Sequence, residues 1–250
     1  MRPERAIFKK NYYVRRRSKN CKKVNVPDIS LAATRKSGTS RSIWYWFFIN
    51  ANGYFVSVAH AFDNADQNTK FLFWGRLPEQ LQDPKVQIQE IVKNDDHDIF
   101  IGKIAVKSPT YFHLSKNIPG EGRSVCISGY PLAQLSLNSQ GILELGGVRR
   151  YFQPSFVLDR VTMNSDNGAG KIRKHDGFLL RDVGLFGMSG GPVFDKSGVV
   201  LGIQGSVTKP RESKNAGRTI SVENALAIRT GVIIDLLKEK RIRFNLLGRF

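Results

Sequence analysis

The stretch that most constrains the fold is Ile43-Trp44-Tyr45-Trp46-Phe47-Phe48-Ile49, followed by Asn50-Ala51-Asn52-Gly53 and then Tyr54-Phe55-Val56-Ser57-Val58. Aromatic and β-branched residues suit a pleated, packed surface. The Asn/Gly tetrad between the two runs is turn chemistry. The pair therefore reads as a β-hairpin. The first arm is the longest apolar run in the chain, far short of the ~18 residues that would suggest a membrane span. It reads as a buried strand.

The same pattern of short strands and turns continues on both sides. Further strands are expected at Phe71–Trp74, Val86–Val92 and Ile99–Ile104 in the first half. In the second half they are expected at Ser124–Ser128, Ile142–Val148, Phe156–Met163, Gly177–Leu180, Pro192–Phe194 and Val199–Gln204. Lys85 to Val92 alternates polar and apolar residues, as a half-buried strand does. Residues 108–121, with Pro119-Gly120 as their turn, read as a connector. One helix is expected, opened by Thr230 and running to about Arg241. Its apolar stripe is Val232, Ile233, Leu236 and Leu237, and basic residues complement the dipole at its C-terminal end. Two runs of strands, a connector and a closing helix fit two packed β-barrels better than an α/β layout. Polar stretches at 164–177 and 208–218 read as exposed loops, candidate rims of a cleft.

The net charge of +18 over 250 residues is concentrated at one end. Ten basic residues and one acid, Glu4, lie within the first 23. Residues 1–24 thus read as a cationic arm, either a solvated tail or a docking element for nucleic acid or another acidic surface. The remainder, 25–250, is read as one peptide-chain unit with barrels at about 25–107 and 122–228. Cys21 and Cys126 form no disulfide framework, and the histidines and cysteines show no metal-ligand spacing, so neither metal nor cofactor is expected. No secretory signal is seen, which makes the cytoplasm the expected location.

The candidate chemistry lies in Gly187-Met188-Ser189-Gly190-Gly191-Pro192-Val193-Phe194. Flanking glycines permit backbone conformations closed to other residues. Such a turn can present a serine hydroxyl with the Gly187 and Ser189 amides aimed at one point, as acyl transfer requires. Ser-Gly-Gly is also an ordinary turn before a strand. A serine needs a base. Among His60, His97, His113 and His175, only His60 ends an apolar strand, where it can project over a groove; the other three are expected to face solvent. A carboxylate should orient the imidazole. Asp98 adjoins the apolar strand Ile99-Phe100-Ile101-Gly102-Lys103-Ile104 and is the acid expected to be partly buried, although it could simply cap the turn after Asn94-Asp95-Asp96.

His60, Asp98 and Ser189, in this order and in these settings, resemble the triad of chymotrypsin-fold serine peptidases, with the HtrA/Deg type nearest in its motifs. Residues 48–60 are similar to the strands leading to that family's histidine. Residues 98–104, 125–132, 187–203 and 225–228 resemble its other conserved-order segments. The resemblance runs from about Gly38 to Lys240. It implies an all-β fold of two packed six-stranded antiparallel barrels with a C-terminal helix, and peptide hydrolysis through an acyl-enzyme. On that resemblance Ser189 is the nucleophile, His60 the base and then the acid, Asp98 the orienter, and the Gly187 and Ser189 amides the oxyanion donors.

Met188 departs from the family pattern, standing where secreted members carry aspartate and HtrA types usually asparagine. The resemblance therefore implies no activation by a freshly cut N-terminus. The chain as given ends soon after its helix, with no room for a PDZ module. By the same likeness, Val183, Gln204, Gly205 and Ser206 line the pocket for the residue before the scissile bond. No acid stands at Val183, so small or medium apolar residues are the expected preference, although Asp182 is one position away. Partners are thus a protein or peptide substrate, with a possible anionic partner for residues 1–24. Two other readings stay open: a catalytically silent peptide binder, and a nucleic-acid-associated protein led by its arm.

Overall fold

The computed structural model describes residues 29–35, 41–63, 70–74, 85–86, 88–107, 110–137, 143–147, 149–166, 172–185, 187–207, 213–215, 218–220 and 224–247. The basic arm and Cys21 lie outside the described residues. The strands, in chain order, are β1 (Ile29–Arg35), β2 (Arg41–Phe48), β3 (Tyr54–Ser57), β4 (Lys70–Trp74), β5 (Lys85–Val86), β6 (Gln89–Asn94) and β7 (Ile99–Lys103) in the first half. The second half contains β8 (Ser124–Gly129), β9 (Gln134–Leu137), β10 (Leu143–Gly146), β11 (Tyr151–Asp166), β12 (Ile172–Leu180), β13 (Pro192–Phe194) and β14 (Val200–Val207). It closes with β15 (Ser213–Asn215), β16 (Arg218–Ile220), β17 (Ala225–Arg229) and the helix α1 (Thr230–Glu239).

The fold is all-β with one α-helix among the described residues, and every ladder is antiparallel. The second half forms a closed six-stranded barrel in the order β11-β12-β17-β14-β13-β8. The described strands of the first half are hydrogen-bonded in the order β5-β4-β1-β2-β3-β7-β6, and the two ends of that order, β5 and β6, are only two residues apart in the chain, so the sheet curls round on itself as a six-stranded barrel does. The strand with no marked run of its own in the sequence is β1, which lies between β2 and β4. The single strand expected over Val86–Val92 is instead two, β5 and β6, which pair at opposite edges of the sheet.

Tyr45 to Ile49 are buried at every position, because β2 has covered faces on both sides. Phe47 meets Phe112 of the connector edge-on at 5.3 Å between centroids, and Trp46 stacks on Phe55 at 4.4 Å. The connector is stitched to both halves. Phe112 N–H donates to the Phe48 carbonyl and Ser115 N–H to the Val200 carbonyl, each at 2.8 Å. Helix α1 begins at Thr230, as expected, but that hydroxyl does not cap it. It donates to the carbonyls of Ser115 and Leu201, pinning the helix start to the connector and to β14. Val232, Ile233, Ile234 and Leu237 then complete the shared core.

Two expectations about the polar stretches fail. Residues 172–177 are not loop but the first part of β12, and their pairing with β11 buries His175. The stretch 208–218 includes β15 and the start of the small hairpin it makes with β16. Polar composition misled over 172–177 because β11 and the turn that carries Asp98 supply partners for the polar groups, while 213–215 and 218–220 pair through their backbones.

Candidate active site

The imidazole of His60 is presented by a short 3-10 turn, Ala59–Phe62, immediately after β3. Ala59, Ala61 and Phe62 are buried, and Phe62 stacks nearly parallel on Phe100 of β7 at 3.7 Å. The turn is thus anchored on three sides while the His60 ring stays about one-third exposed, at 34 %.

Asp98 closes the tight turn between β6 and β7. It takes a left-handed backbone, φ +55°, which is uncommon outside glycine. The turn is supported by Asn94, whose Oδ1 accepts the His97 N–H at 2.8 Å. The Asp98 carbonyl accepts the Ala59 N–H at 3.1 Å, so the two turns are tied through their backbones. The carboxylate is buried and doubly engaged with one residue. Oδ1 accepts the His60 backbone N–H at 2.9 Å, and Oδ2 lies 2.7 Å from His60 Nδ1. A carboxylate there makes Nδ1 the donor and leaves Nε2 as the basic nitrogen. Bringing these two side chains together is what the strand-end reading of each required.

Ser189 sits on the turn between β12 and β13. Gly187 and Gly190 hold φ of +80° and +86°, conformations that favour glycine. Met188 is fully buried in the second barrel's core, fixing the turn from below. The amides of Met188, Gly190 and Gly191 are spent on the carbonyls of Leu185, Gln204 and Met188. Those of Gly187 and Ser189 find no acceptor among the described residues. Two free donors flank one half-buried hydroxyl, the arrangement that can hold an oxyanion. The hydroxyl itself donates to the Gly205 carbonyl at 3.5 Å, and among the described residues it makes no bond to the His60 ring.

The turn is pressed against the strands that lead to His60. A Cβ on Gly190 would stand 2.3 Å from the Tyr45 carbonyl oxygen and 2.8 Å from Ser57 Oγ, three residues before the histidine. Gly190 must therefore be glycine for the two halves to meet. Ser189 consequently lies in the crease between them.

Of the four expected pocket residues, Gln204, Gly205 and Ser206 follow one another on β14, and Gln204 packs against Gly184, the neighbour of Val183. Gln204 is 2 % exposed, and its amide lies on the Cα of Gly184, where a Cβ would come 2.2 Å from Nε2. Nε2 donates to the Ser206 carbonyl at 3.3 Å, so the side chain spans from the 183–185 wall to the 204–206 wall. Gly205 forms a bulge between Gln204 and Ser206 in the ladder with β17. Asp182 is turned elsewhere. Against the opposing effect of partial burial, Arg181 and the Ser155 hydroxyl hold its carboxyl below the usual range, and Arg181 pairs with both oxygens at 3.1–3.2 Å. It is thereby committed outside the Val183 position.

The other histidines do not join this group in the same way. His97 donates from Nδ1 to the Lys174 carbonyl at 3.1 Å, and His113 lies in the connector. His175, expected to face solvent, is buried near Asp98, and burial pulls its imidazole below the usual histidine range. Burial pushes the Cys126 thiol up to about 11, which keeps it protonated and unreactive. Sequence reasoning missed Arg173 of β12, whose Nη1 stands 3.5 Å from Asp98 Oδ2. The available signal was the alternation of Arg173, His175 and Gly177 on one face of a polar strand.

Residues 47–203 match the model of the trypsin-like peptidase domain, and the chain belongs to that family. It is therefore grouped with serine peptidases, whose substrates are proteins. Among solved structures it is similar to the Rv3671c protease of M. tuberculosis in its active form, at 15 % identity and a TM-score of 0.62, covering 90 % of this chain and 85 % of that one. An inactive form of the same protease matches at 16 % identity and a TM-score of 0.55, covering 84 % and 87 %. The HtrA-type protease AlgW with a tripeptide matches at 18 % identity and a TM-score of 0.56, covering 86 % of this chain and 60 % of that one. At these identities the likeness is one of fold. No curated protein matches the chain.

Proposed function

We propose that this protein is a serine endopeptidase working through an acyl-enzyme. In this reading His60 Nε2 takes the proton of Ser189 as the hydroxyl oxygen attacks the carbonyl carbon of the scissile peptide. The tetrahedral oxyanion is held by the Gly187 and Ser189 amides. His60 then protonates the leaving amine, and a water activated by the same nitrogen releases the acid product. Asp98 keeps the imidazole in the Nδ1–H tautomer and stabilises its protonated form. The observation that carries this reading is the pair of contacts from Asp98 to the ring and backbone of His60, together with a serine turn whose Gly187 and Ser189 amides find no acceptor among the described residues. Attack demands that the Ser189 hydroxyl leave the Gly205 carbonyl for His60 Nε2, and catalytic hydrogen bonds are often long before substrate binds.

The pocket favours small residues before the scissile bond. Gln204 occupies space between the two walls, and Asp182 is paired with Arg181, so neither a bulky nor a basic side chain is well served. Val183, Gly205 and Ser206 supply the remaining contacts, with the end of β14 beyond Gln204 left for a β-paired peptide.

The test is pre-steady-state hydrolysis of a chromogenic ester. A burst equal to the enzyme concentration, absent in Ser189→Ala, supports an acyl-enzyme. The second reading, a silent peptide binder, is favoured by the Ser189 hydroxyl bonding to Gly205 rather than to the ring. It predicts peptide affinity with neither burst nor turnover.

A further inference from the structure

We propose that Arg173 is a positioning residue for the base, holding Asp98 and the His60 turn in register from the second barrel. This rests on the peptidase reading and deepens it. The guanidinium reaches two acids at once. Nη1 is 3.5 Å from Asp98 Oδ2, the oxygen that bonds the imidazole, and Nη2 is 3.9 Å from Asp63 Oδ2. Asp63 closes the turn that presents His60, its N–H donating to the His60 carbonyl at 3.4 Å. One rigid, planar cation therefore spans the group that orients the imidazole and the residue that ends its turn.

The delivery of Arg173 is built into the backbone. The N–H of its neighbour Lys174 donates to the Asp96 carbonyl at 2.6 Å, and the Lys174 carbonyl accepts from His97 Nδ1 at 3.1 Å. The β11–β12 hairpin is thus latched to the turn that carries Asp98. At 18 % side-chain exposure Arg173 sits where solvent screens its charge only partly. Burying the Asp98 carboxylate beside a neutral imidazole alone would leave much of its charge unanswered. The guanidinium answers it, and it also restrains how strongly that carboxylate stabilises a protonated ring.

That second effect separates positioning from mere support. Among the described residues, the charged and titratable groups around the pair are Arg173, Lys174 and His175 from β12, Asp63 from the His60 turn, Lys93 from β6, and Asp95, Asp96 and His97 from the turn before β7. Removing the cation frees the carboxylate to hold a protonated imidazole, so base activity should disappear at higher pH than before.

The experiment measures kcat, KM and the pH dependence of fluorophosphonate labelling for the full chain, Arg173→Met and Arg173→Lys. Arg173→Met should lower kcat on the order of 10²-fold, the scale of a small misplacement of a catalytic group. KM should change little, and the acid limb should move to higher pH. Arg173→Lys, which keeps the charge, should return the limb towards its original position. It also serves as the test if the methionine variant does not fold. An acid limb that stays in place in Arg173→Met, or kcat within twofold of the unsubstituted chain, would overturn the proposal. Absence of labelling in the unsubstituted chain would overturn the peptidase reading instead. The low-field Nδ1 proton resonance of His60 would then still report on Arg173, a changed chemical shift in Arg173→Met supporting the clamp and an unchanged one overturning it.

Discussion

Tyr45 of the first sheet donates its phenolic hydrogen to the backbone carbonyl of Tyr130 in the second half, with the two rings stacked 5.7 Å apart. The same residue offers its own carbonyl to Ser57 Oγ at 2.6 Å and borders both Gly187 and Gly190. A single residue, through its side chain and its carbonyl, therefore joins the His60 strand, the serine turn and the barrel behind it. Burial, reinforced by the Tyr130 phenol, pushes the Tyr45 hydroxyl far above the ordinary tyrosine range.

Tyr45→Phe removes this donor and leaves the Tyr130 carbonyl to the Ala133 N–H, which it accepts at 3.0 Å. The expected loss is about 0.5–1.5 kcal/mol of folding free energy. Activity should fall further than stability alone explains, because the serine turn loses its support. Urea unfolding alongside kcat/KM on the same preparations checks both.

Gly190→Ala sets a Cβ against backbone rather than against a flexible side chain, at a φ of +86°. Strain of about 1–3 kcal/mol is expected from the backbone conformation alone, before any clash. The turn must shift, and hydrolysis should drop below detection while the variant still folds at low temperature. Thermal unfolding and an active-site titration would show this.

Gln204→Ala empties the space between Gly184 and Ser206. Peptides with leucine before the scissile bond should gain on those with alanine by roughly 10-fold or more in kcat/KM, as expected for newly admitted methylenes. A side-by-side profile of the two substrates measures it. An unchanged ratio would show that Gln204 does not limit the pocket.

His175 gives the fold an acid-side weakness. Burial, opposed by Asp98 and reinforced by Arg173 and His97, lowers its proton affinity in the folded chain. The unfolded chain takes up that proton near pH ~6.5, while the folded chain does so only at lower pH. Unfolding is therefore favoured as pH falls below about 6.5, and this contribution vanishes above it. His175→Gln should flatten the fall in stability over that range, as urea titrations on either side of the unfolded value would reveal.

In the candidate site, the pairing of His60 with Asp98 and the glycine-held serine turn were legible because each part is encoded locally. An apolar strand ending in His60, an acid abutting Ile99 and a serine between glycines each follow from a few adjacent residues. The first sheet was less legible. Its β1 strand owes its place to ladders with β2 and β4 rather than to a marked run of its own. Residues 172–177 were misread for a related reason. Arg173 and His175 look like loop residues until Asp98, some 75 positions earlier, is known to lie opposite. Likewise, Met188 departs from the family pattern at the serine turn. Its side chain is fully buried against Gly129 and the barrel core, which is where an apolar residue at that point of the turn belongs.

Mapping the adduct of a fluorophosphonate by mass spectrometry tests the central claim most directly. The account predicts one modified residue, Ser189, with labelling lost in Ser189→Ala and strongly slowed in Asp98→Asn, which misorients the imidazole. A folded, unsubstituted chain that takes no label at a pH of about 8, where a histidine base is neutral, or takes it elsewhere, would contradict the account.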